Sequence, residues 1–195
     1  MDALTQQLMQ QLLGGGLSQV SQKIGTDERT TSSALLAAVP LLVSALANNA
    51  SKPAGAQALH QALANDHDGS ILNNMSGFLG NPQAANGSGI LGHILGAQQP
   101  AVTQGLAQST GLNGAQVGQL LQIAAPLLMG ALGQQQQQQG LDPNGLSAFL
   151  GGQQQMAQQS NPDMMSTLNS LLDMNRNGSA LDDVLGLVGK LFGRR

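Results

Sequence analysis

The sequence predicts an all-α fold made of two related bundles of short helices that arose from an internal duplication. Leucine, alanine and glutamine are frequent, whereas aromatic residues make up 2% of the chain, and this composition favours helices over strands. Apolar residues recur at helical spacing, and no segment alternates with the period of two that is typical of strands. A long apolar segment with a central proline also occurs twice in the chain.

Two short helices are predicted near the N-terminus. Three leucines repeat every four residues and share one helix face: Leu4, Leu8 and Leu12. Asp2 is a candidate N-cap for this helix, and the glycines at 14–16 end it. A second helix follows, and Gly25 closes it at the position where helix ends favour glycine.

The longest apolar run covers residues 34–47, a stretch of 14 residues that Pro40 and Ser44 interrupt. A membrane span requires about 20 apolar residues, so we expect a buried helix here and no transmembrane segment. Asp27 is placed to cap the start of this helix. Because Pro40 has no N–H group, we expect it to kink or break the helix.

Several shorter helices are predicted after the apolar run. Ser51 followed by Pro53 predicts a helix start with serine as the N-cap. Residues 66–69 form a predicted turn, and Ser70 is a candidate cap for the next helix. A further turn at residues 86–87 precedes an apolar helical stripe. The stripe consists of Ile90, Leu91, Ile94 and Leu95.

A shift of 86 residues superposes one half of the sequence on the other. The matched pairs are Gly25 with Gly111, Asp27 with Asn113, Leu35 with Leu121, and Pro40 with Pro126. A proline inside a helix is costly, so its recurrence argues against a chance match. We therefore expect two copies of one helical unit, residues 1–98 and 99–195.

The second copy contains a glutamine-rich insert at about residues 134–160. Six consecutive glutamines occupy residues 134–139, and more glutamines follow at 153–155 and 158–159. Such tracts are usually solvated. Two interpretations stay open, a segment for self-association and a helix end that frays into a tolerated loop.

Several short apolar motifs occur in an order that resembles a known family. They are Val39-Pro40-Leu41-Leu42, its echo Ala125-Pro126-Leu127-Leu128, the segment from Ile90 to Gly96, and the segment from Asn177 to Gly186. Together they resemble the bacterial domain-of-unknown-function family 937, with which YidB-like proteins are associated. The resemblance covers most of the chain outside the glutamine tracts. It implies an all-helical bacterial protein without an assigned activity, and it brings no catalytic residues.

The composition argues against several classes of function. The chain has no cysteine, which excludes disulfides, cysteine nucleophiles and iron–sulfur clusters and fits a cytoplasmic location. A net charge of −3 and the scarcity of aromatic residues argue against a nucleic-acid partner. The N-terminus lacks the basic and apolar regions of a secretory signal. Because no nucleophile motif is present either, we expect no enzyme and no catalytic residues.

A loop near the C-terminus has spacing similar to that of an EF-hand, in which oxygen ligands alternate around a central glycine. The candidate calcium ligands are Asp173, Asn175, Asn177, Ser179, Asp182 and Asp183. Position 12 of the loop is Val184 and cannot bind the ion, so the affinity would be weak, on the order of millimolar. We otherwise expect no cofactor.

A simpler interpretation explains most of the same residues as a helix start. Asn177 and Gly178 form a turn, Ser179 is the N-cap, and Asp182 lies at N3, which is close to a capping box. The turn at residues 66–70, even with His60 added, matches no metal-site spacing, and we interpret it as a solvated turn.

The last predicted helix carries a wide apolar stripe. The stripe consists of Leu181, Val184, Leu185, Val188, Leu191 and Phe192. Lys190, Arg194 and Arg195 lie at its end. The stripe could dock into a partner's groove or onto an anionic lipid surface, or it could pack on the protein's own bundle.

The sequence therefore favours a non-enzymatic interaction or structural module with an unknown protein partner and a capacity for homo-oligomers. A weak calcium-binding module that uses residues 173–183 is the first alternative. An enzyme of unknown type is the second, and it would need a deep polar pocket with converging carboxylates.

Overall fold

The structure, a computed structural model, describes residues 3–160, and this range contains helices and no strands. The predicted all-α class is confirmed. The α-helices are α1 (Ala3–Leu12), α2 (Gly16–Ile24), α3 (Glu28–Ala50), α4 (Pro53–Asp66), α5 (Ser70–Asn73), α6 (Met75–Gly80), α7 (Gly87–Leu95), α8 (Gln99–Thr110), α9 (Gly114–Gln139) and α10 (Pro143–Ser160). Short 3-10 turns at Pro82–Ala85 and Gly96–Gln98 flank α7.

The long helices α3 and α9 pack against each other at the centre of the fold. Both are buried around most of their circumference, so they lack the single apolar stripe of a surface helix. One hydrophobic core extends from Leu4 in α1 to Leu150 in α10. Within the described range, the two halves of the sequence therefore share a core.

By length and composition alone, α3 and α9 are also apolar enough to cross a membrane. However, 78% and 72% of their most apolar windows are buried inside the fold. Contact with other helices therefore accounts for the apolar composition of both.

The two long helices begin in the same way. Asp27 accepts a hydrogen bond from the Thr30 N–H at 2.9 Å, and Asn113 accepts one from the Gln116 N–H at 3.0 Å. The predicted cap at Asp27 is therefore confirmed. Gly25, which ends α2, has φ of 69°, in the left-handed region that favours glycine. Gln116 also donates from Nε2 to the Ile24 carbonyl at 3.1 Å, which ties the start of α9 to the end of α2.

The helix α3 continues through Pro40, so of the predicted kink or break at this residue, the break is wrong. In α9, Pro126 likewise lies inside the helix and leaves the Gln122 carbonyl without its usual N–H donor. Gly87 at the start of α7 covers that carbonyl, and an ideal Cβ at Gly87 would lie 2.0 Å from its oxygen. Only glycine can approach a backbone this closely.

Two predicted serine caps need correction. The Ser51 hydroxyl donates to the Asn48 carbonyl at 2.7 Å at the end of α3, and Lys52 is the N-cap of α4. Gly69 is the N-cap of α5, and the Ser70 N–H donates to the Asp68 carboxylate at 2.9 Å. In both cases the residue that caps lies one position away from the predicted one.

The glutamine tract at 134–139 forms the last turns of α9 rather than a solvated loop. Gln7 of α1 donates from Nε2 to Gln134 Oε1 at 2.9 Å, and it accepts at Oε1 from Gln135 Nε2 at 3.2 Å. Gln136 is 7% exposed and donates to the His60 carbonyl of α4. The amides of the tract therefore join α9 to α1 and α4.

Candidate functional site

The predicted calcium ligands, Asp173 to Asp183, lie outside the described residues, as does the apolar stripe at 181–192. Within residues 3–160, no group of three or more histidine, aspartate or glutamate side chains could hold a metal ion. The predicted turn at 66–70 is present, and it lies at one end of a groove.

The groove lies between α4 and α7, above α3 and α9, and has a volume of about 600 Å³. Its floor is apolar and consists of buried side chains from three helices: Leu46, Ile90, Ile94 and Met129. On α4, the half-buried Leu59 and Ala62 and the exposed Ala58 form the wall. Ligand sites in proteins have volumes of roughly 300–1,000 Å³ and mostly apolar linings. The groove therefore has the size and character of a binding site.

Polar residues lie at both ends of this groove. Lys52, Asn49 and His93 line one end, where the Asn49 amide donates to the carbonyls of His93 and Ile94 at 3.2 Å and 3.0 Å. These bonds hold the C-terminus of α7 against the end of α3. Asp66, the last residue of α4, and His67, which follows it, line the other end.

Two glycines of α9 fix the His67 end of the groove. An ideal Cβ at Gly133 would lie 1.7 Å from the His67 carbonyl oxygen, and one at Gly130 would lie 2.4 Å from Ile71 Cγ2. The segment 67–71, which includes the turn and the start of α5, therefore rests directly on the α9 backbone. The Gln137 side chain adds a hydrogen bond to the Asp68 carbonyl at 3.2 Å.

Burial and hydrogen bonding set the charges at this end. Burial lowers the pKa of His67, and the nearby Asp66 carboxylate opposes the shift. Hydrogen bonds from Ser70 lower the pKa of Asp68, which favours its anionic form. At neutral pH the His67 imidazole is therefore neutral, and the end of the groove carries negative charge from Asp66 and Asp68.

A second surface depression, of about 650 Å³, lies beside the Gln122 carbonyl. Its lining is mostly polar and includes Lys23, Asn81 and Gln119. Because it lacks an apolar floor, it offers a partner less surface that gains from burial. The groove between α4 and α7 is the better candidate site.

Sequence reasoning identified some groove residues but not the groove. Ile90 and Ile94 belong to the predicted apolar stripe, and both form part of the floor. Asn49 carried no sequence signal, because its role arises from hydrogen bonds to carbonyls of α7, more than 40 positions further along the chain.

The model of a family described as bacterial protein of unknown function (DUF937) matches residues 6–135. This range begins in α1, ends in the glutamine tract and includes every residue that lines the groove. Comparisons with curated proteins and with solved structures gave no match.

Proposed function

The chain belongs to the bacterial family of unknown function DUF937, whose model matches two thirds of it, and we propose that it is a non-enzymatic interaction module. Its ligand is an amphipathic helix of a protein partner, which lies in the groove between α4 and α7. The family assignment brings no activity, so the proposal depends on the geometry of the groove.

The observation that carries the proposal is a groove with a mostly apolar lining and with polar residues at both ends. A helix that places apolar residues at positions i, i+3, i+4 and i+7 in such a groove buries them, and this burial provides the binding free energy. The 14 residues of α4 make the wall about 21 Å long, or nearly four helical turns. The wall is therefore long enough for several anchoring side chains.

The charged residues at the two ends of the groove favour one orientation of the bound helix and add little to its affinity. Lys52 lines one end and is a cation, whereas Asp66 lines the other end and is an acidic residue, with Asp68 two residues further along the chain. Exposed charges of this kind contribute little energy each, but they favour one orientation of a charged partner over the reverse.

Site-specific photocrosslinking tests this function in cells. A photoreactive amino acid replaces Ala58 in the groove, and the control replaces Ala64, which is exposed on the same helix and does not line the groove. We expect a discrete protein adduct from position 58 that is absent from position 64. Addition of Lys52→Glu should change its yield.

Equal adducts from the two positions would contradict the proposal, because they would report surface collisions rather than a site. A lack of adducts from both positions in cells that express the protein at its natural level would also contradict it.

A further inference from the structure

The ends of the groove carry opposite charges, and this asymmetry defines the orientation of a docked helix. Lys52 precedes the first residue of α4 and Asp66 is its last residue. The dipole of α4 adds partial positive charge at the Lys52 end and partial negative charge at the Asp66 end. A helix in the groove is therefore favoured when its acidic N-terminus lies near Lys52 and its basic C-terminus near Asp66.

The chain itself contains a segment with this charge order. Asp182 and Asp183 lie at the start of the apolar stripe at 181–192, and Lys190 and Arg194 lie at its end. As a helix, these 12 residues would be about 18 Å long, close to the length of the α4 wall. The segment thus matches the groove in apolar character, length and charge order.

The described fold ends close enough for this segment to reach the groove. In α10, Gln154 Nε2 lies 3.4 Å from the Asn48 side chain, and the next residue, Asn49, lines the groove. Residues 161–180 connect α10 to the stripe, and 20 residues can span up to about 66 Å. The connection is therefore long enough for docking within one chain.

We propose that residues 181–192 occupy the groove of their own chain and compete there with an external helix. This inference rests on the proposed function, because it assigns an internal ligand to the same groove. Docking within the chain is favoured over docking between chains, since a tether of this length gives an effective concentration on the order of millimolar.

Competition by a labelled peptide tests the proposal in the full-length chain. The probe is a fluorescent peptide of residues 178–195, and its binding is measured by anisotropy. The variant Leu185→Asp with Val188→Asp disrupts the stripe and leaves residues 3–160 unchanged. If the groove is 90% occupied in the wild-type chain, the peptide should bind this variant about tenfold more tightly.

The outcomes separate this inference from the proposed function. Equal affinity for the wild-type chain and the variant would refute internal occupancy while the groove still binds a helix. A lack of binding to either protein would refute both proposals. Tighter binding to the variant that is lost with Ala58→Arg, and retained with Ala64→Arg, would support both.

Disulfide trapping distinguishes docking within a chain from docking between chains. The protein has no natural cysteine, so Ala58→Cys with Val188→Cys introduces a single pair. We expect rapid formation of an intramolecular disulfide at a rate that does not depend on protein concentration. The control pair, Ala64→Cys with Val188→Cys, should react at least several-fold more slowly. Equal rates, or disulfide-linked dimers as the main product, would overturn docking within the chain.

Discussion

Substitution of Gly133 tests how the turn at the end of the groove is held. An ideal Cβ at this position lies 1.7 Å from the His67 carbonyl oxygen, whereas real contacts of this kind are at least 3.0 Å. In Gly133→Ala, the turn must therefore move by at least 1.3 Å (3.0 − 1.7) relative to α9. The obstacle is backbone, which cannot rotate away as a flexible side chain would.

The magnitude follows from two opposing effects. Alanine is favoured over glycine in a helix by about 1 kcal/mol, and overpacking against an ordered backbone costs about 3 kcal/mol. We expect Gly133→Ala to lose about 2 kcal/mol, which lowers Tm by about 4–8 °C for a protein of this size. The control is Gly118→Ala in the same helix, where nothing lies within 4 Å of the added carbon. It should raise Tm by about 2–4 °C.

Thermal unfolding followed by the helical circular-dichroism signal measures both variants. The reasoning would be refuted if Gly133→Ala raised Tm as much as Gly118→Ala does. That result would mean that the turn at 67–71 can move away from α9 at little cost.

Three further predictions concern the same region and the C-terminal loop. The lowered pKa of His67, ordinarily 6.5, means that the unfolded chain binds this proton more readily than the folded chain. Stability should therefore fall as pH decreases through about 6.5, and His67→Gln should weaken that dependence of Tm on pH. Gln136→Met removes a buried Oε1 that has no partner among the described residues, together with the long Nε2 hydrogen bond of 3.4 Å to the His60 carbonyl. Because relief of the unpartnered oxygen offsets the loss of that bond, Tm should stay unchanged or rise, and a fall of several degrees would contradict this. For residues 173–183, the helix-start interpretation predicts that several millimolar calcium leaves Tm equal in the wild type and in Asp173→Ala. A calcium-specific rise that the variant loses would instead establish the calcium module.

Local signals in the sequence predicted the helices well. The leucine repeat of α1, the glycine at the end of α2 and the cap at Asp27 all depend on neighbouring residues, and the structure has each of them as predicted. The predicted caps at Ser51 and Ser70 are wrong because each serine makes another hydrogen bond that is equally local. The Ser51 hydroxyl donates to the Asn48 carbonyl, and the Ser70 N–H donates to the Asp68 carboxylate. In each case the N-cap is the residue next to the serine.

Contacts between distant residues could not be predicted from local signals. The helix α3 continues past Pro40 because its surroundings bury it, although propensity favours a break there. The glutamine tract looked like a loop by composition, yet its amides bond to Gln7 and to the His60 carbonyl. The groove depends on the packing of α4 and of α7 against α3 and α9, which no sequence period reveals.

The internal duplication and the two predicted units stay hypotheses. Gly25 and Gly111 both end helices with positive φ, at 69° and 75°. The helices that follow these two glycines, α3 and α9, each contain one proline. These likenesses favour the hypothesis, and they concern residues 86 positions apart. A quantitative superposition of α2–α3 on α8–α9 would test it.

The most direct test of the central claim is the affinity of the 178–195 peptide for the full-length Leu185→Asp, Val188→Asp chain, measured with either Ala58→Arg or Ala64→Arg added. Both alanines are exposed on α4, and only Ala58 lines the groove. If the groove receives an apolar helix, Ala58→Arg weakens binding at least tenfold and Ala64→Arg leaves it unchanged. Equal affinities for the two variants would show that the peptide binds elsewhere and would contradict the account.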